Sequence, residues 1–278
     1  MNASQPLGCT GLHKTVNNLR TYGKQPYTIA VIHGGPGAAG HMAPVARELS
    51  AYFGILEPLQ TVASVMGQVE ELRDVLVKHG NPPLTLIGSS WGAMLGFIFS
   101  AYYPALITKL ILVGSGAFEE GYAVGMMDNR LNRLSDEERT EAFSLIETLD
   151  NPSIKDKDSS LSRLGTLMTK ADAYDPLTLD TENIEINYHI YHSVWNEAEE
   201  LRRSGILLKL GDMIQCPVVA IHGDYDPHPY EGVRKPLSDV LRRFQFILLK
   251  NCGHLPWIER EAQSNFYQIL KQQILISI

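Results

Sequence analysis

A chain of 278 residues with 44% hydrophobic and 20% charged residues has an ordinary globular balance, enough for one large domain or one domain with an insertion. Its formal charge of −7 argues against a nucleic-acid partner, whose phosphates call for a basic surface. No apolar run approaches the roughly 20 residues that span a bilayer, the opening MNASQPLGCTGLHKTV shows no basic segment followed by an apolar core, and Cys9, Cys216 and Cys252 are too scattered for a disulfide framework or a metal site. The expectation is a cytoplasmic protein with no membrane partner.

Along the chain, YTIAVIH (27–33) reads as a buried strand running into Gly34-Gly35-Pro36-Gly37, and FGILEPL (53–59) as a second strand. Residues 62–79 carry Val65, Val69, Leu72 and Leu76 at helical spacing, and Gly80, Pro82 and Pro83 end that helix. LTLIG (84–88) is a strand, 92–102 a buried helix stopped before Pro104, and LITKLILVG (106–114) another strand. This alternation predicts an α/β fold with a mostly parallel sheet covered by helices on both faces.

From 117 to 205 the pattern turns helical and polar. That segment holds 19 Asp and Glu against nine Lys and Arg, net −10, so the acidity of the chain lies there. The alternation resumes at CPVVAIHG (216–223) and FQFILLK (244–250), and a helix is expected over about 257–275. The domain reading is a core of 1–116 and 206–278 with a helical insertion at 117–205.

The junction Gly88-Ser89-Ser90-Trp91-Gly92 fits G-x-S-x-G and selects Ser90 as nucleophile. Small residues two before and two after let a strained strand-to-helix turn close; Ser89 in that role would be flanked by Ile87 and Trp91, both too large. A serine hydroxyl needs a base. Of nine histidines, His254 in NCGHLPWIE follows the last predicted strand, at the sheet edge that carries Ser90. An acid must orient that imidazole. HGDYDPHP offers Asp226, which has room to reach across, and Asp224 as second choice. The order Ser, Asp, His is that of one triad type. The backbone N–H groups of Trp91 and Gly35, with Gly34 as the alternative, are the expected oxyanion donors. No metal or organic cofactor is called for.

Together HGGPG, GSSWG, HGDYDPHP and GHLPWIE resemble the α/β-hydrolase superfamily, and HGGPG with a tryptophan in the elbow looks most like its proline iminopeptidase branch. The resemblance implies that the insertion is a helical cap over a small-molecule or short-peptide site. It also implies that Glu185, in IEINY (184–188), is the counterpart of a cap glutamate that binds a free amino terminus. Read from the residues alone, the segment is instead a solvated helix, with Ile184, Tyr188, Tyr191 and Trp195 on an apolar stripe beside a polar one of Glu185, His189, His192 and Asn196. One departure is visible: LEPLQTVAS (56–64) replaces the Asp-x-Arg-Gly-type loop usual in that branch. The functions expected are hydrolysis of an ester or amide through an acyl-enzyme, iminopeptidase-like activity, or, from another class, a non-catalytic binding protein on the same fold.

Overall fold

The computed structural model describes residues 18–177 and 184–276; the opening segment with Cys9 lies outside them. The chain begins with β1 (Leu19–Tyr22), β2 (Tyr27–Ile32), a two-residue β3 (Ala38–Ala39), α1 (Ala43–Leu49) and β4 (Gly54–Pro58). Strand and helix then alternate through α2 (Val65–His79), β5 (Leu84–Ser89), α3 (Trp91–Tyr102) and β6 (Ile107–Val113). Next come α4 (Glu120–Ala123), α5 (Met126–Leu131), α6 (Asp136–Asp150), α7 (Asp158–Asp172), a two-residue β7 (Glu185–Ile186), α8 (Tyr188–Arg203) and α9 (Ile206–Lys209). The chain ends with β8 (Val218–Gly223), α10 (Glu231–Val240), β9 (Phe244–Leu249) and α11 (Gln263–Leu275).

Seven strands form one sheet in the order β1-β4-β2-β5-β6-β8-β9, parallel throughout except for β1, which pairs antiparallel with β4. The expected strands are all present. Side chains alternate between two buried faces, as the pleat requires. Ala30, Ile32, Leu86 and Leu110 pack with α2, α3, α8 and α10, while Ile29, Val31, Ile87 and Ile111 pack with α1 and α11. Leu131, Leu134, Leu149, Leu161, Leu164 and Leu167 form a separate cluster within α5–α7.

Several boundaries differ from the sequence reading, each for a local reason. Ser64 caps α2, its hydroxyl accepting from the Gly67 N–H at 3.2 Å, so that helix starts at Val65. The last helix starts at Gln263 because 256–258 form a 3₁₀ turn and Glu259, fully buried, is committed elsewhere. Its carboxylate accepts from the backbone N–H groups of Gly253, Tyr174 and Asp175 at 2.8–2.9 Å. Segment 184–188 is not continuous helix: Asn187 caps α8, with its side chain accepting from the Ile190 N–H at 3.0 Å. Glu185 therefore lies on a strand, and the buried stripe of α8 is Ile190, Val194 and Ala198, with Tyr188, Tyr191 and Trp195 only half-buried. The short elements β1, α1 and α10 lacked a sequence signal long enough to stand out.

The helices between β6 and β8 are fastened to the sheet by charge. Arg130 of α5 makes a two-pronged ion pair with Asp172 at the end of α7, at 2.7 and 2.6 Å. The Asp172 carbonyl accepts from the His254 N–H at 3.0 Å. Arg133 donates to the Ala171 and Tyr225 carbonyls and stacks its guanidinium on the Tyr225 ring at 3.9 Å. Both partners of the Arg130–Asp172 pair are largely buried, and removing one leaves the other charge without compensation. Arg130→Ala is therefore expected to lower unfolding stability by about 3 kcal/mol in denaturant titration, and Arg130→Leu/Asp172→Leu together to lower it by less.

Candidate active site

Parallel register brings the site together. Ile32 lies opposite Gly88, Ser89 opposite Val113, Val113 opposite Ile221, and Gly223 opposite Leu249. The loops that follow β2, β5, β8 and β9 therefore leave the sheet from one edge. The order in which successive strands are added reverses between the parallel β2 and β5, where open α/β sheets leave a crevice. Ser90 and Gly34-Gly35 flank that crevice.

Ser90 has φ 52° and ψ −115°, a strained left-handed backbone for a residue with a side chain. The turn closes because its flanks are glycine. A Cβ at Gly88 would overlap the Gly92 carbonyl, and one at Gly92 would overlap the carbonyls of Ile32 and His33. The Ser90 N–H is fixed to the Val113 carbonyl at 2.9 Å, and its side chain is half-buried at the start of α3. Trp91 points into the core, where its indole N–H donates to Gln68 Oε1 at 2.9 Å. Its backbone N–H heads α3 and so has no acceptor within the helix.

Across the edge, His254 Nδ1 lies 2.7 Å from Asp226 Oδ2, with both side chains buried. Asp224 is not the partner: it sits at the strand end, 3.4 Å from Lys250. The sequence reading missed a second imidazole on the same carboxylate. His228 Nδ1 and its backbone N–H reach Asp226 Oδ1 at 2.8 and 2.9 Å, and its ring stacks on His254 at 4.7 Å. His222 Nε2 approaches Oδ2 at 3.4 Å. The spacing D-x-H in DPHP was the available signal, since an Asp accepts readily from the residue two positions on.

These contacts set the charges. Burial opposes ionisation of Asp226, yet His254, His222 and His228 hold its carboxyl well below the usual range. The two imidazoles on it diverge. For His254 burial pulls downward but the charge and hydrogen bond of Asp226 outweigh it, leaving the ring above its ordinary value. For His228 burial wins and lowers it to about 4. Asp226, His228 and His254 bring donor atoms within 4.8 Å of one another, the one such three-residue group among the described residues. Each ring uses Nδ1 on the carboxylate, so the group is built as a hydrogen-bonded cluster rather than a metal cradle.

On the other side of Ser90, Gly35 has φ 61° and its carbonyl accepts from Ala38 N–H at 2.9 Å, closing the HGGPG turn. His33, buried and kept neutral by that burial, donates to the Gly34 carbonyl at 3.1 Å. Gly34 is packed between neighbours: a Cβ there would stand 3.1 Å from Ser90 Cβ and 3.5 Å from His41 Nδ1. Glu185 is exposed on β7, which pairs with β3 directly after this turn. His192 and Asn196 bond each other at 3.2 Å on the outer face of α8.

The comparisons agree with this architecture. The profile of the alpha/beta hydrolase fold matches residues 60–261, and the chain belongs to that family. It is 24% identical over 205 residues to monoacylglycerol lipase ABHD6 of Rattus norvegicus, a match covering 72% of this chain and 58% of that protein. The chain thus spans somewhat over half the length of the curated relative. Among solved structures it is similar to VinJ, with TM-score 0.64 at 17% identity over 94% of this chain and 95% of that one. It is also similar to proline iminopeptidase of Mycobacterium smegmatis, with TM-score 0.58 at 18% identity over 92% and 95%. The solved structures share the fold of this chain. Among the described residues no helix is long and apolar enough to cross a membrane.

The split between the two imidazoles is directly measurable. In ring-proton NMR against pH, His254 is expected to titrate above 6.5 and His228 near 4. Asp226→Asn removes the charge that raises His254, so burial then carries that ring below 6.5.

Proposed function

We propose that this chain is a serine hydrolase of small carboxylic esters, with Ser90 as nucleophile. His254 accepts the Ser90 proton as Oγ bonds to the carbonyl carbon, then gives it to the departing alcohol oxygen as that C–O bond breaks. Water deacylates the enzyme by the same steps in reverse roles. Asp226 fixes the His254 tautomer and balances the imidazolium. The N–H groups of Trp91 and Gly35, with Gly34 as the alternative, hold the oxyanion. The helices of 117–205 serve as a cap. The observation that carries the reading is the buried Asp226–His254 bond at the strand edge where Ser90 occupies its strained turn. The lipase name of the curated relative favours esters over amides.

Glu185 keeps the amine-binding reading open to test, since it stands on the strand next to the HGGPG turn. An iminopeptidase-like enzyme would cleave aminoacyl arylamides and lose that activity in Glu185→Gln; an esterase would prefer neutral acyl esters and be indifferent to the change. A non-catalytic binding protein would remain folded without reacting with a fluorophosphonate.

Ser90→Ala is expected to cut turnover of an acyl-ester panel by at least about a thousand-fold and to abolish fluorophosphonate labelling. Unchanged turnover in that variant would overturn the assignment. Because only neutral His254 can take the serine proton, kcat/KM should fall with decreasing pH through an acid limb above 6.5.

A further inference from the structure

His228 shares the Asp226 carboxylate with His254, yet the chemistry just described uses only one of the two rings. An ionised carboxylate only accepts, so each neutral ring carries its proton on the Nδ1 that lies 2.7 or 2.8 Å from Asp226. The two Nε2 atoms therefore carry lone pairs, and both face away from Asp226. Nε2 of His228 has no hydrogen-bond partner among the described residues and, unlike Nδ1 of His41 and of His222, is not sealed from solvent. The side chains of His228 and His254 are equally exposed, at 8%. Their rings stack at 4.7 Å with planes 26° apart. The outer edge of His228 lies over the loop after β6, beside the first turn of the helix that Ser90 begins. A Cβ at Gly116 would stand 2.9 Å from Met94 Cε and 3.9 Å from His228 Cδ2, the carbon bonded to Nε2. Burial lowers the protonation of His228 to about pH 4, so Nε2 keeps its lone pair at ordinary pH. Two like acceptors thus stand side by side where a triad needs one.

We propose that His228 binds the deacylating water, its Nε2 accepting one hydrogen of that water while His254 Nε2 accepts the other. The proposal rests on the serine-hydrolase reading above. Stacked rings hold their outer nitrogens at roughly the stacking distance, and an oxygen about 2.9 Å from each of two such nitrogens sees them at an angle of about 110°, close to that between the two hydrogens of water. The water oxygen bonds to the acyl carbon as its first proton passes to His254. The second hydrogen stays on that oxygen, held by His228. Collapse of the tetrahedral intermediate breaks the bond to Ser90 Oγ, which takes the proton from His254, and the free acid leaves. His228 is too weak a base to take the proton itself, so its part is to fix the direction of attack. An attacking alcohol has a single hydroxyl hydrogen and uses His254 alone.

The test divides one acyl-enzyme between two nucleophiles. 4-Nitrophenyl butyrate is turned over in water containing methanol, and butyric acid and methyl butyrate are quantified. In His228→Asn the amide N–H takes over the Nδ1 bond to Asp226, and the Nε2 acceptor is lost. The ratio of methyl butyrate to butyric acid is expected to rise about ten-fold over wild type, the effect of one hydrogen bond, while fluorophosphonate labelling at Ser90 changes little in rate. His228→Leu also loses the bond to Asp226; it should show the same rise in ratio with slower labelling, and it supplies the readout if the asparagine variant does not fold. A role confined to holding Asp226 would slow water and methanol alike, so an unchanged ratio in the variants overturns the proposal and leaves the hydrolase reading intact. A wild-type enzyme that forms neither product and does not label at Ser90 overturns both.

Discussion

A carboxylate placed out of reach of water has to be compensated on the spot, and Asp226 is such a group. Its two oxygens are divided. One takes the ring and backbone N–H of His228, and the other takes His254, with His222 close by. With Oδ1 filled by His228, the carboxylate cannot rotate without breaking two bonds. Oδ2 is thereby aimed at His254, and the His254 ring is turned so that its other nitrogen is free. The divergence of the two imidazoles follows from the same arrangement: one carboxylate charge offsets the burial of one ring, not of both.

The loop that carries His254 is itself held from outside the sheet. The Asp172 carbonyl anchors the His254 N–H, Arg130 neutralises the Asp172 carboxylate, and Glu259 gathers the backbone N–H groups of Gly253, Tyr174 and Asp175. The inserted helices are thus joined to the His254 loop by buried charge, and to the opposite side of the crevice by backbone. There the Asn187 N–H donates to the Gly37 carbonyl at 2.8 Å, and a side chain at Gly37 would overlap Asn187. A further tie runs from Glu197 of α8 to the Val65 N–H at the start of α2, at 2.7 Å. Movement of the inserted helices would be felt at both walls of the crevice.

The proposed oxyanion side shows the complementary device, space kept open by glycine. A side chain at Gly34 would press on Ser90 Cβ at 3.1 Å and on the Ser89 carbonyl at 3.3 Å, so both would have to give way slightly. What stands in place of the Asp-x-Arg-Gly-type loop is a segment led by Gln60, buried, with its N–H directed at His33 Nε2 at 3.4 Å. The departure from the iminopeptidase pattern therefore lies beside the HGGPG turn.

Much of this was written locally. Strand positions followed from short β-branched runs, and the elbow from the glycines that flank Ser90, because a strained turn has few sequences that permit it. The sheet edge shared by Ser90, Asp226 and His254 followed from alternation alone, since parallel strands joined by helices must present their ends together. Other features needed the folded chain. No local pattern says that His228 and His254, 26 residues apart, share one carboxylate, or that Arg130 neutralises Asp172 beneath the His254 backbone. The polar stripe drawn through Glu185 failed because Asn187 begins a new helix and gives 185–186 to a strand whose partner, β3, lies about 150 residues earlier. The sequence by itself determined which residues can adopt each backbone and which strand ends carry Ser90, Asp226 and His254, because those are limits of sterics and period. Only the tertiary structure decided which charges are paired and which polar atoms go unpaired, because burial and pairing are properties of neighbours brought together from far along the chain.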